Sequence, residues 1–194
     1  MKTPLAILLG ALPLAACISF GAKPPASLLT LTSASAVPVG RVQSSAGAPG
    51  LQIAVPVTPA SLATARVPVA SGATSLAYVK DALWSEPPAR LFARLLSDTV
   101  SARAGRVVLS EVEAIDTPAA QLAGELRQFG IDGTTREAVV TFDAALRRQA
   151  TGAVEKRRFE ARAPVPAIDA ASAGPALNGA ANQVAAQVAD WVGR

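Results

Sequence analysis

Hydrophobic positions along this chain repeat with two different periods. From Leu91 onward Leu91, Phe92, Leu95, Leu96, Thr99 and Val100 recur at helical spacing, with Arg90, Arg94 and Asp98 on the opposite side. Ser85 is placed to cap this helix, and Pro87 and Pro88 suit a first turn whose N–H groups lack partners anyway. Gly105 is placed to end it. A second helix is predicted from about Pro175, where Leu177, Ala181, Val184, Val188 and Trp191 step by four, three, four and three. Asn178, Gln183, Gln187 and Asp190 keep its other side polar.

Elsewhere the period is two. Glu137 to Gln149 places Val140, Phe142, Ala144 and Leu146 on one face and Thr141, Asp143 and Arg147 on the other. Gln121 to Asp132 precedes it across Gly133-Thr134-Thr135-Arg136, and Val154 to Ala163 follows a turn at Thr151-Gly152, with Phe159 and Ala161 inward. These three segments predict an antiparallel meander with one polar face, half covered by helices. Shorter strands are expected at Leu28–Thr32, Leu51–Val55 (ended by Pro56 and Pro59) and Arg106–Ala114. Ala65–Ala70 and Ser75–Lys80 form a hairpin around Ser71-Gly72, and Val37–Gly50 is a loop. The fold class is therefore α/β of the α+β type, a mainly antiparallel sheet packed by two principal helices.

Composition narrows the chemistry. The chain has 194 residues, enough for one ordinary domain, with 51% apolar and 16% charged residues. There is no histidine, which removes the usual general base and the commonest metal ligand. A single cysteine excludes an internal disulfide and a cysteine-rich metal site. The net charge is +4, but the arginines are scattered and acids lie close to the Arg147-Arg148 and Lys156-Arg157-Arg158 groups. No nucleic-acid partner is expected from that distribution. Walker A, GxGxxG, HExxH, CxxC and GxSxG motifs are all missing from the sequence. Glu111 and Glu113 share a strand face by spacing, but rim carboxylates are far commoner than catalytic pairs. The expectation is a protein without catalytic residues, metal or cofactor.

The N-terminus sets the compartment. Met1 to Ala16 has a basic start at Lys2, an apolar run from Leu5 to Leu14, and small residues at Ala15 and Ala16. That is signal-peptide anatomy, with an apolar run too short to span a bilayer. Leu14-Ala15-Ala16-Cys17 resembles the bacterial lipobox, and Cys17 is the only cysteine of the chain. Its sulfur is the nucleophile that takes the diacylglycerol, while small residues let a peptidase admit extended backbone. Residues 1–16 are thus expected to be removed, Cys17 to carry the lipid, and 17–26 (with Lys23-Pro24-Pro25) to form a tether. Residues 27–194 make one periplasmic domain. By resemblance to Gram-negative lipoproteins, Ile18 in place of aspartate favours the outer membrane.

The order of elements, with Ser75-Leu76-Ala77-Tyr78, Leu83-Trp84-Ser85-Glu86-Pro87-Pro88 and Val188-Ala189-Asp190-Trp191-Val192, resembles the auxiliary lipoproteins of ABC-type transport systems. These are the PqiC-like family that accompanies MCE (mammalian-cell-entry type) lipid transporters. One departure is Ser27-Leu28-Leu29, where family members often carry tyrosines. The resemblance implies an α/β fold without enzymatic activity, lipid-anchored to the outer membrane and facing the periplasm. It further implies an MCE-domain partner that links it to an inner-membrane ABC permease and ATPase. A homo-oligomeric ring meeting the partner's tunnel is compatible with that resemblance. Trp84, Glu86, Pro87 and Pro88 are the candidate partner contacts, weighed against a tryptophan that merely packs a strand-to-helix corner. Two other function classes stay open at this point: a periplasmic lipid-binding carrier, and a regulator of envelope or cell-wall assembly.

Overall fold

A computed structural model describes residues 27–46, 50–110, 113 and 119–193. The elements are β1 (Leu51–Ile53), β2 (Arg66–Ala70), β3 (Leu76–Leu83), α1 (Pro88–Ala104), β4 (Val108–Leu109), β5 (Ala120–Asp132), β6 (Glu137–Arg148), β7 (Val154–Pro164) and α2 (Ala170–Val192). The expected α+β class is what the chain adopts. Its long ladders, β5 with β6 and β6 with β7, are antiparallel.

The sheet is built around β5. One edge of β5 pairs with β6 along its whole length. The other edge is shared: β1 runs parallel to its start, through Leu51 opposite Ala120, and β2 runs parallel to its end, through Val69 opposite Ile131. Between them Val57 makes a single bridge to Glu125, donating to Gly124 O at 3.0 Å and accepting from Leu126 N at 2.9 Å. Pro56 and Pro59 cannot donate to a ladder, so the chain follows β5 in pieces. β4 pairs outside β1 in parallel, and β3 pairs outside β2 antiparallel. The sheet is therefore more mixed than its hairpins alone predict.

Close backbone approach explains two glycines of β5. A Cβ at Gly124 would stand 2.2 Å from Asp143 O and 2.7 Å from the Phe142 ring, and one at Gly130 would stand 2.5 Å from Pro68 O. Arg127 lies between the pairs Leu126–Phe142 and Gln128–Thr141, a bulge that keeps both Leu126 and Phe129 facing the core.

Both helices cover one face. The expected apolar stripe of α1 is buried, as are Leu177, Ala181, Val184, Val188 and Trp191 of α2. Phe92 meets Phe142 edge-on at 5.4 Å, and Trp84 meets Phe129 the same way at 5.4 Å. Such pairs add about 1 kcal/mol each beyond the area they bury. Phe159 and Ala161 of β7 point inward as predicted, and Phe159 lies 5.5 Å from Trp191.

Several boundaries differ from the sequence reading. Helix α1 has Pro87, not Ser85, at its N-cap and no side-chain cap; Pro88 begins the helix and has no N–H to leave unpaired. Gly105 ends it in the left-handed region at φ 60°, as expected. Helix α2 starts at Ala170 rather than near Pro175, because Asp169 caps it by accepting from Ser172 N at 2.8 Å. Pro175 removes one N–H inside the helix without ending it. The first strand stops at Ile53, and the strand expected over Arg106–Ala114 is only Val108–Leu109. It is followed by a turn in which Glu113 N donates to Ser110 O at 3.1 Å.

The segment Leu28–Thr32 is extended but is no ladder strand. Leu29 makes one parallel bridge to Trp84, through Leu29 N to Leu83 O at 2.7 Å and Ser85 N to Leu29 O at 2.8 Å. Beyond it the backbone is held by side chains of α2. Thr32 N donates to Asn178 Oδ1 at 2.9 Å, Ala34 N donates to Asn182 Oδ1 at 2.7 Å, and Asn182 Nδ2 donates to Thr32 O at 2.9 Å. Leu29 sits on Gly174, where a Cβ would come within 2.8 Å of its Cδ2. This strap replaces sheet partners with two asparagines whose polar positions in the helical pattern gave no hint of that use.

These contacts set three expectations. Gly124→Ala should cost about 3 kcal/mol in urea unfolding, since the new methyl meets backbone. Gly179→Ala, with nothing within 4 Å, should gain about 0.5–1 kcal/mol from helix propensity. Asn182→Ala should cost about 1–2 kcal/mol and speed amide exchange at Ala34 more than at strand β6; equal exchange at the two places would remove the strap from the account.

Candidate functional site

The segment proposed for lipid attachment, Leu14-Ala15-Ala16-Cys17, lies outside the described residues, as do residues 18–26. The strap shows where that segment joins the fold. Going back from Ala34 at Asn182, through Thr32 at Asn178, to Leu29 at Gly174, the chain leads toward the end of the sheet where α2 begins. Arg136 and Pro166 also meet at that end, where the Arg136 guanidinium donates to Pro166 O. Twelve residues separate Cys17 from Leu29, a reach of about 40 Å when fully extended.

The Trp84–Pro88 corner divides into inside and outside. Trp84 is 1% exposed, its ring against Phe129, and its Nε1 has no hydrogen-bond partner among the described residues. Pro88 is buried at the first helical position. Glu86 and Pro87 are partly exposed, and Glu86 pairs with Arg94 of α1. Of the four residues singled out from the sequence, Glu86 and Pro87 are the ones that reach solvent, while Trp84 and Pro88 position them. Glu113 is bound by Ser110 N at 2.9 Å and Ser110 Oγ at 2.7 Å, which holds its carboxyl below the usual range. Glu111 lies outside the described residues.

The sheet face turned away from the helices carries a charge lattice across β5, β6 and β7. Asp143 receives Arg158 through two bonds, Nε at 2.5 Å and Nη2 at 2.7 Å, and Arg127 lies 3.5 Å from the same carboxylate. Arg162 contacts Glu160 at 2.9 Å and Glu137 at 3.2 Å. The buried Thr141 hydroxyl lies 3.0 Å from both Gln128 Oε1 and Glu160 Oε2. The bond from Arg158 holds the Asp143 carboxyl below its ordinary value. At the β5–β6 turn, backbone N–H groups of Thr135 and Thr134 do the same for Asp132.

Beside this lattice runs a shallow groove of about 750 Å³, with a floor that includes Ala123 and Ala145 and a rim that includes Val57, Arg127, Lys156 and Arg158. Val57 is 68% exposed there. No group of three or more potential metal ligands occurs among the described residues. No helix among them is long and apolar enough to cross a membrane.

A family model described as "ABC-type transport auxiliary lipoprotein component" matches residues 29–189. The chain belongs to that family. This makes it an auxiliary lipoprotein component of ABC-type transport, and the family resemblance drawn from the Tyr78, Trp84–Pro88 and Val188–Val192 segments is correct. Among solved structures, protein XCC0632 from Xanthomonas campestris, described as a DUF330 member, superposes with a TM-score of 0.71 at 20% identity. That match covers 86% of this chain and 94% of the other. A second, uncharacterized protein gives 0.65 at 19% identity, covering 74% and 92%. At these identities the two show that the auxiliary lipoprotein shares their fold. No curated protein matches the sequence.

Titration offers a check on the lattice. Because the folded value of Asp143 is depressed, its stabilisation is complete above the ordinary aspartate value of about 3.9 and is lost as pH falls through the lower folded value. The urea midpoint of the wild type should therefore fall as pH drops below about 4, more steeply than that of Asp143→Asn. Parallel curves for the two proteins would show that this carboxylate is not linked to stability.

Proposed function

We propose that this auxiliary lipoprotein is a non-catalytic subunit of an MCE-type ABC lipid transport system, docking the periplasmic lipid tunnel to the outer membrane. The observation that carries the reading is the family match over residues 29–189, joined to the lipobox-like Leu14-Ala15-Ala16-Cys17 ahead of it. Residues 1–16 are the signal peptide, Cys17 is the lipidated residue, 17–26 are the tether and 27–194 the periplasmic domain. Glu86 and Pro87 offer the exposed part of the corner to a partner. The partner is the MCE-domain protein, and through it the inner-membrane permease and ATPase.

Docking is supported over carriage of lipid by how the helix-covered side is filled. Trp84, Phe92, Phe129 and Phe142 touch edge to edge there, and Leu177, Ala181 and Val184 of α2 are fully buried against the same core. An acyl chain entering that layer would have to displace packed aromatic rings at several kcal/mol.

The test is purification of the C-terminally tagged full chain from mildly solubilised envelopes. An MCE-domain protein should co-purify, and should still do so with Cys17→Ser, which removes the protein from the outer-membrane fraction. Recovery of lipid alone, or of a cell-wall synthase, overturns the docking reading. Retention of Cys17→Ser in the outer-membrane fraction overturns the anchor.

A further inference from the structure

The net charge of the whole chain is concentrated at one place. Between Arg147 and Arg158, around the β6–β7 turn, stand five cations (Arg147, Arg148, Lys156, Arg157, Arg158) and one acid, Glu155, a net of +4. The chain as a whole is also +4, so the remaining 13 cations and 13 acids cancel. Two of the five cations are held in ion pairs, Arg158 with Asp143 and Arg148 with Glu155 at 3.3 Å. The Arg157 guanidinium lies over the Phe159 ring, 5.0 Å from its centroid, with its charge unpaired by any acid among the described residues. Arg147, Lys156 and Arg157 have no ion-pair partner among the described residues, and all three are exposed. Of the acids in the neighbouring segment, Glu113 is taken by Ser110, and Glu111 and Asp116 lie outside the described residues. Buried Arg106, 9% exposed, adds a further positive charge at this end and feels the charge of Arg148.

The surroundings of these cations are apolar and open. Val154 is 53% exposed at the start of β7, and the turn Gln149–Ala153 contains no charged residue. Lys156 and Arg157 also line the 750 Å³ groove with its Ala123 and Ala145 floor, and the groove's two carboxylates, Glu125 and Asp143, are already paired with Arg127 and Arg158. Ala123 and Ala145 face each other across β5 and β6, and these small side chains leave room for an extended segment laid on the sheet, with cations beside it.

Position favours one kind of occupant. Helix α2 begins at the end of the sheet from which the strap leads to the anchor. It ends at the other, where Arg106 Nη1 lies 3.4 Å from Val192 O. A helix of 23 residues is about 35 Å long. The cationic turn is thus at the far end of the body from the tether, and would reach the anchoring bilayer only if the whole body turned over. We propose that the β6–β7 turn and its adjoining groove receive an extended acidic segment of a periplasmic partner protein, with Arg147, Lys156 and Arg157 supplying the complementary charge. This rests on the docking reading and names the surface used.

The full-length lipidated protein, anchored in phosphatidylcholine vesicles, should bind a fluorescein-labelled decapeptide alternating glutamate and alanine. Raising salt from about 50 to 200 mM should weaken binding several-fold. The variant Arg147→Glu/Lys156→Glu/Arg157→Glu breaks no ion pair among the described residues and should bind at least about tenfold more weakly. Arg90→Glu, exposed and remote, should bind as the wild type does. Equal peptide binding by wild type and triple variant, or none by either, overturns the proposal. So does bridging of the anchored protein to added phosphatidylglycerol vesicles that the triple variant abolishes, because the turn would then serve a membrane. These readouts use the isolated protein, so their failure leaves the transporter reading standing, and the co-purification experiment decides that reading separately.

Discussion

Everything in this fold leans on a strand with too many neighbours. β5 gives one edge to β6 for its whole length and divides the other among β1, the single bridge at Val57, and β2. Backbone groups that three broken pieces would otherwise leave unpaired are satisfied by one continuous partner. That sharing forces the chain close, and Gly124 and Gly130 are where closeness excludes a side chain. It also fixes which face is core, because the bulge at Arg127 corrects the alternation before Phe129 reaches the aromatic cluster.

Once the inner face is committed to helices, the outer face has a different task. Its polar side chains are arranged in cross-strand register, Asp143 beside Arg158 and Thr141 beside Glu160. Exposed pairs of this kind contribute little stability singly. What they do accomplish is to neutralise most of the face and leave the unbalanced charge at one turn. The family assignment and this distribution describe the same molecule from two directions: an auxiliary transport component whose interior is packed and whose distinguishing chemistry lies on its surface.

The sequence was most legible where structure is local. The alternation of β6, the 3.6-residue stripes of both helices and the turns between β5, β6 and β7 each declare themselves within a dozen residues. The short parallel strands were not legible, because three residues of Leu51–Ile53 carry no period and find their partners nearly 60 or 70 positions away. The start of α2 was hidden by Pro175, which looks like a boundary, while the true boundary is a single carboxylate at Asp169. Trp84 stands out in the sequence as a candidate contact, but burial is a tertiary property, and nothing local distinguishes a tryptophan that faces inward from one that faces a partner. The asparagine clamp was invisible for a related reason: a polar residue on a helix normally needs only water.

That clamp has a mechanical side. The strap lies along α2, and its attachments at Gly174, Asn178 and Asn182 are spaced one helical turn apart. Tension arriving from the N-terminal side along the helix axis loads these attachments together, in shear, whereas a sideways pull would open them one after another like a zipper. A body tugged by its own leash in the first direction resists with its whole seam. The direction of pull, more than the number of bonds, decides how firmly the strap holds.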